Sequence, residues 1–235
     1  GEMGSLLVII FLFAVMLYFS NVDIKLLLGM AAVAVVIVLA VYGLAVASGS
    51  DNYRLQRILA FFNPEQYSSS DAYQQQQSKV AIGSGGLYGI GTFVDGSMSQ
   101  LNYVPADWTD FIFSTIGEAW GFVGCASILL VYLLIILRMV YLARFTRDKF
   151  GYLIITGVIG MLLFHVFENI GMTVGLMPIT GIPLPFLSYG GSNMVTNMGG
   201  IGLVLNVVKN RSLSHTIITP QTNANPYRFT TRIGN

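Results

Sequence analysis

The sequence predicts an all-α, polytopic helical membrane protein. It has about five transmembrane helices and a large extracytoplasmic loop carrying amphipathic and re-entrant segments. Three observations carry this. Hydrophobic residues make up 54% of the chain and charged residues 10%, where a soluble domain carries about 25% charged residues. Mean hydropathy is +0.68, and apolar runs of about 18 or more residues recur, long enough to cross a hydrocarbon core of about 30 Å. Basic residues gather in particular connections, which orients the spans. The net charge of +1 gives no basic stripe of the kind nucleic acid requires, so membrane lipids and not nucleic acid are the expected surroundings. The single Cys125 lies in an apolar run, which excludes a disulfide framework; it reads as a small buried side chain.

The expected spans are residues 5–19, 24–47, 111–137, 152–174 and 184–208. The first is short. The chain opens "GEMGSLLVIIFLF", without an initiator Met or a charged leader region, and reads as a fragment or a trimmed chain. Arg138, Arg144, Arg147 and Lys149 follow the third span, and Lys209 and Arg211 follow the fifth. Both connections therefore read as cytoplasmic. Alternation then puts residues 48–110 and 177–185 outside and residues 20–25 inside. Arg54, Arg57 and Lys79 fall in the long outer loop, where the rule is tolerant. Residues 1–211 form the membrane part, and 212–235, polar and holding Pro220 and Pro226, read as a disordered cytoplasmic tail.

Within the outer loop, "DNYRLQRILAFFNPEQ" places Leu55, Ile58, Leu59 and Phe62 at helical spacing, with Arg54 and Arg57 on another face. This predicts an interfacial amphipathic helix ending before Pro64. "SSSDAYQQQQ" reads as a polar linker. "SKVAIGSGGLYGIGTFVDGSMSQ" starts apolar and is Gly-rich, so it suits a re-entrant segment buried in protein or beside a water-filled cavity.

Four constellations could carry chemistry. In "PADWTDFIFSTIGEAWGFVG", Asp110 opens the third span, Ser114 lies one turn deeper, and Glu118 lies about two turns in. A buried Glu there is costly unless it faces a cavity or a partner. Trp108 and Trp120 suit interface anchors. Asp110 reads equally as a helix-start acid supported by the macrodipole, with Thr109 or Asp107 as cap. In "MPITGIPLPFLSYGGSNM", Pro178, Pro183 and Pro185 forbid a regular helix, and Gly181, Gly190 and Gly191 permit tight turns. Ser188, Tyr189 and Ser192 offer hydroxyls at the outer face; the plainer reading is a rigid hairpin. The run Gly83, Gly85, Gly86, Gly89, Gly91 matches no dinucleotide fingerprint; it suits a flexible loop better than an amide cradle for phosphate. Lys79, Arg54 and Arg57 suit a phosphate clamp or lipid headgroups equally. In "FHVFENIGM", His165 and Glu168 share a helix face beside Asn169. One pair without a third ligand is a weak metal site, and hydrogen bonding between helices is the stronger reading.

Together these segments resemble the SEDS family, named for shape, elongation, division and sporulation. The resemblance runs from residue 1 to about 210. It rests on "GIPLPFLSYGGS" after "NIGMTVGLMPIT", and on "RLQRILAFFNPE", "QSKVAIGSGGLYG" and "SQLNYVPADWTDFIFSTIGEAWGFVG" in order. "FHVFENIGM" leans toward the RodA branch over the FtsW branch. The resemblance implies a peptidoglycan glycosyltransferase that polymerises lipid II, the undecaprenyl-diphosphate-linked disaccharide-pentapeptide, in the bacterial cytoplasmic membrane with its active face outside. It implies a class B penicillin-binding protein as partner and a role in cell shape, with this chain as the C-terminal half of a protein of about ten spans.

Asp110 matches the acid of the family's "TDFIF" motif, as general base toward a sugar hydroxyl or as ligand of a divalent cation, Mg²⁺ or Mn²⁺. Arg57, Lys79, Ser84, Gly85, Gly86, Ser188, Tyr189, Gly190 and Ser192 are the expected substrate-binding residues. Asp107, Glu118, His165 and Asn169 are the expected supporting ones. The sequence departs from the family at Pro105-Ala106-Asp107-Trp108, where a Pro-Glu and a His are usual. It also departs at "GEAWG", which keeps one acid of two, and at Glu2, where an Asp is common. A lipid II transporter and a non-catalytic scaffold for the penicillin-binding protein are the competing readings.

Overall fold

The computed structural model describes residues 2–20, 22–23, scattered positions between 25 and 43, residues 70–92, 94–97, 101, 103 and 108–217. Most of the second span, the amphipathic helix with Arg54 and Arg57, Asp107, and everything past 217 lie outside the described residues, as does the side chain of Glu2. Five helices are described: α1 (Glu2–Phe19), α2 (Ser70–Ser84), α3 (Ile112–Arg144), α4 (Lys149–Val174) and α5 (Gly191–Ile217). All regular structure among the described residues is helical. Two helices, α3 and α4, are long and apolar enough to cross a membrane.

Helix α4 is the hub and packs against each of the other four. Its start is set locally: Asp148 caps it by accepting from Gly151 N at 2.8 Å. Its end is a left-handed Gly175 (φ 82), with Leu176 N and Gly175 N returning to Gly171 O and Met172 O. Small residues let α1 approach it closely. Gly160 faces Val15 and Gly157 faces Met16, while Phe11 meets Phe164 with ring centres 4.9 Å apart. Toward the Arg144 end of α3, Ile136, Met139 and Ala143 interlock with Ile155, Val158, Ile159 and Leu162 of α4 and Val204 of α5.

Several expectations are corrected. The stretch read as a polar linker is helical from Ser70 onward, because α2 is held by its partners and not by an apolar stripe. Gln75 donates to Met172 O and Met177 O, and the fully buried Ser78 bonds Ser114 Oγ at 2.6 Å and Thr173 O at 2.8 Å. The last helix begins at Gly191, not near residue 184, since residues 184–190 form an irregular turn around Pro185. It also continues to Ile217, into the stretch expected to be a disordered tail.

Helix α3 is broken inside. Gly121 takes φ 64 and ψ −160, so Glu118 O and Ala119 O lose the amides of Phe122 and Val123 as partners. The Gly-rich loop after α2 fills the gap. Ile90 N and Gly91 N donate to Glu118 O and Ala119 O, both at 3.0 Å, while Phe122 N and Val123 N donate to Gly86 O and Leu87 O at 2.9 and 3.1 Å. These four backbone groups freed by the break are thus paired, as apolar surroundings demand. A Cβ at Gly85 or Gly89 would collide with Gly117 O or Ala119 O, so only glycine lets the loop come this close.

Candidate functional site

The turn before α3 carries Asp110 and is caught from outside. Three successive carbonyls each accept a hydrogen bond: Trp108 O from Tyr189 N (2.9 Å), Thr109 O from Ser188 Oγ (2.6 Å) and Asp110 O from Asn169 Nδ2 (2.8 Å). The N-cap of α3 is Phe111, whose own side chain makes no cap bond. Phe111 is instead buried against Ala81 of α2 and Ile179. The surrounding chain thus holds this helix start through its carbonyls and through Phe111.

The Asp110 side chain is half-buried and lies over Gly181 (φ 71), where a Cβ would stand 3.3 Å from Oδ2. The Thr180–Ile182 stretch beneath it is held by adjacent residues of α4. Glu168 Oε1 accepts from Thr180 Oγ1 at 3.0 Å, and Asn169 Nδ2 donates to Ile182 O at 2.8 Å. From the other side, Gly4 of α1 presses on Thr180 O and Ile182, leaving no room for a side chain. The expected hydrogen bonding by Glu168 and Asn169 thus runs to the outer turn and to Asp110, not to another span. His165 bonds Met161 O within its own helix at 2.7 Å, which does not pair it with Glu168 for a metal.

Ser188 is buried, and its hydroxyl is committed twice: it donates to Thr109 O and accepts from Leu184 N at 2.7 Å. The turn around it includes Phe186 at φ 64, a strained conformation for a bulky residue. Tyr132 of α3 braces the turn by donating to Pro185 O. Tyr189 is exposed beside Gly190, and Ser192 is exposed at the start of α5. Lys79 is exposed, and its chain lies across Gly175 at the end of α4, where a Cβ would strike Cε. Its neighbour Ser78 ties α2 to the first turn of α3 through Ser114. Ser84 is exposed and donates to Ala81 O at 2.7 Å. Gly85 is buried against α3, and the amides of Gly86, Gly89, Ile90 and Gly91 are already donated within the protein. These amides serve packing and do not form an open phosphate cradle. Glu118 is buried behind this loop.

Among the described residues, no group of three or more His, Cys, Asp or Glu could hold a metal ion. A cage built wholly from protein is therefore absent from this part of the chain. Sequence reasoning missed the carbonyl clamp and the break at Gly121. The glycines at 85, 89, 117 and 121 were the visible signal for the break.

The family model "Cell cycle protein", for FtsW, RodA and SpoVE, matches residues 1–213. The chain belongs to this family. It is 44% identical over 155 residues to "Peptidoglycan glycosyltransferase RodA" of Treponema pallidum, covering 66% of this chain and 36% of that protein. It is 40% identical over 162 residues to "Peptidoglycan glycosyltransferase MrdB" of Escherichia coli K12, covering 69% and 44%. A chain of the solved structure "Structural coordination of polymerization and crosslinking by a peptidoglycan synthase complex" superposes with a TM-score of 0.68 at 32% identity, over 88% of this chain and 56% of that one. The chain spans about a third to a half of the length of the curated relatives it matches.

Proposed function

We propose that this chain carries the acidic side of a glycosyl-transfer site that polymerises lipid II into peptidoglycan strands at the outer face of the bacterial cytoplasmic membrane. The observation that carries this reading is the Asp110 turn. A carboxylate stands at the mouth of a membrane-length helix, and the carbonyls of its own residue and the two before it are fixed from outside. Such rigidity suits a group that must meet one oxygen in one geometry. The names of the relatives, glycosyltransferases of peptidoglycan, support the reaction class.

In this reading Asp110 accepts the proton of the attacking sugar hydroxyl as the new C–O bond forms. The electron pair of the old C–O bond leaves with undecaprenyl diphosphate. Where Mg²⁺ or Mn²⁺ takes part, Asp110 and the diphosphate oxygens would hold it, and it would neutralise charge on the leaving group. Lys79, Tyr189, Gly190 and Ser192, with Ser84 and Arg57 of the outer loop, are the proposed surroundings of the headgroup. The partner is a class B penicillin-binding protein that cross-links the strands. On sequence likeness the subtype is nearer RodA than FtsW, serving cell shape.

The test uses the full-length protein purified with this partner, its transpeptidase blocked, and labelled lipid II with Mg²⁺ or Mn²⁺. Wild type gives a ladder of glycan strands, and Asp110→Asn lowers its rate by more than about 100-fold while the protein stays folded. A ladder unchanged in Asp110→Asn would remove Asp110 from the chemistry. Absence of a ladder from wild type would favour transport or scaffolding, separable by a lipid-scrambling assay.

A further inference from the structure

We propose that Ser188 and Asn169 are positioning residues, acting on the reaction only through the direction in which they hold Asp110. This rests on the functional reading above and reassigns Ser188 from the substrate-binding set. The reasoning begins with hydrogen-bond capacity. A serine hydroxyl has one proton to donate, and that of Ser188 goes to Thr109 O. Leu184 N occupies the oxygen from the other side. With 4% of its surface exposed, Ser188 has no donor left for a sugar or a phosphate.

Asn169 is equally committed. Its side-chain amide has two protons, and both go to carbonyls, Asp110 O and Ile182 O, each at 2.8 Å. Both partners are acceptors, so the nitrogen must be the atom facing them. Its Oδ1 is buried and finds no partner among the described residues. The amide is therefore kept for its donors: an apolar side chain of this size would remove a hydrogen bond from each of the two carbonyls.

What the two residues share is their target. They grip consecutive carbonyls, 109 and 110, from two different segments, α4 and the turn before α5. Backbone dihedrals set the Cα–Cβ bond and limit the allowed rotamers. Fixing these carbonyls therefore narrows the directions in which the Asp110 carboxylate stands over Gly181. Asn169 does so twice, because the same amide holds Ile182 beside that glycine.

The test measures initial polymerisation rates at varied lipid II concentration, using the full-length protein with its transpeptidase partner. Ser188→Ala is expected to lower kcat on the order of 10-fold with KM within about two-fold of wild type. Ser188→Thr, which keeps the hydroxyl, restores most of kcat. Asn169→Ser, smaller and with one proton to donate, lowers kcat with the same unchanged KM. Folding is followed by gel filtration and melting temperature. A raised KM with kcat kept would return Ser188 to substrate binding and overturn the proposal. So would wild-type kcat in both Ser188→Ala and Asn169→Ser. Loss of folded protein in both variants overturns it in favour of a purely structural role. Asp110→Asn runs alongside: if it keeps wild-type turnover, the functional reading itself falls. If it is inactive while Ser188→Ala and Asn169→Ser behave as wild type, only the positioning role falls.

Discussion

Helices α3 and α4 meet at both ends, by different means. At the Arg144 end the contact is aliphatic: Ile136, Met139 and Ala143 against Ile155, Val158, Ile159 and Leu162. At the Asp110 end the buried residues include Ser114, Glu118, Glu168, Asn169, Thr173, Thr180 and Ser188. Lipid tails are as apolar as leucine, so the aliphatic contact gains little from burial itself and relies on fit. The polar contact relies on hydrogen bonds, which have direction. A packed contact tolerates a shift of an ångström by repacking, whereas a short hydrogen bond such as Ser188 Oγ to Thr109 O does not. The end that carries Asp110 is built from the less forgiving interaction.

Substitutions at the two ends test this contrast. The largest effect is expected where loop and helix backbones touch. Gly89→Ala sets a Cβ onto Ala119 O at φ 79, and should cost more than about 3 kcal/mol. The readout is loss of a monodisperse peak or a collapse of the melting temperature in detergent. Gly199→Ala, with open space around it, is the control; equal behaviour of the two would refute the patched break. Next comes the aliphatic core. Leu162→Ala should cost about 2 kcal/mol, read as a lowered melting temperature with kcat preserved in the folded fraction. A drop in kcat greater than that of Ser188→Ala would erase the contrast between the ends.

Tyr132→Phe removes the donor to Pro185 O and should cost about 1 kcal/mol. If its melting temperature matches wild type, the brace on the Phe186 turn is dispensable. The smallest effect is expected on the outward face of α3. Leu133 is 51% exposed, and Leu133→Ala should change stability of the isolated chain by less than about 0.5 kcal/mol. A larger change would show that this face is covered within the chain. The same difference separates the two membrane-length helices: 22% of the apolar stretch of α3 is buried within the chain, against 44% for α4.

Much of the bundle was legible in the apolar runs. The runs at 111–137 and 152–174 fall on α3 and α4, while the local signals that bound α4, Asp148 and Gly175, went unread in the run of apolar residues. Less was legible where polar sequence is held by distant partners. Residues 68–77 look like a linker because their glutamines and serines form no apolar stripe. Gln75 and Ser78 find their partners roughly a hundred residues away, in the Met172–Met177 stretch. The break at Gly121 was hidden in an apolar run, because its freed carbonyls are satisfied by a loop some thirty residues earlier. Among the candidate residues, Asp110 and Asn169 were singled out from sequence, and the structure brings them together. Ser188 was singled out as well, but its task differs, since both sides of its hydroxyl are taken.

What the sequence determined by itself is what depends on neighbours along the chain: membrane-length apolarity, the capped ends of α4, the prolines that forbid helix before residue 191, and the family motifs. What only the tertiary structure decided is which polar group meets which. A hydroxyl or an amide reads the same in any sequence context. Its role is set by the acceptor within about 3 Å, and for Ser188 and Asn169 that acceptor lies far away in the chain: Thr109 O and Asp110 O.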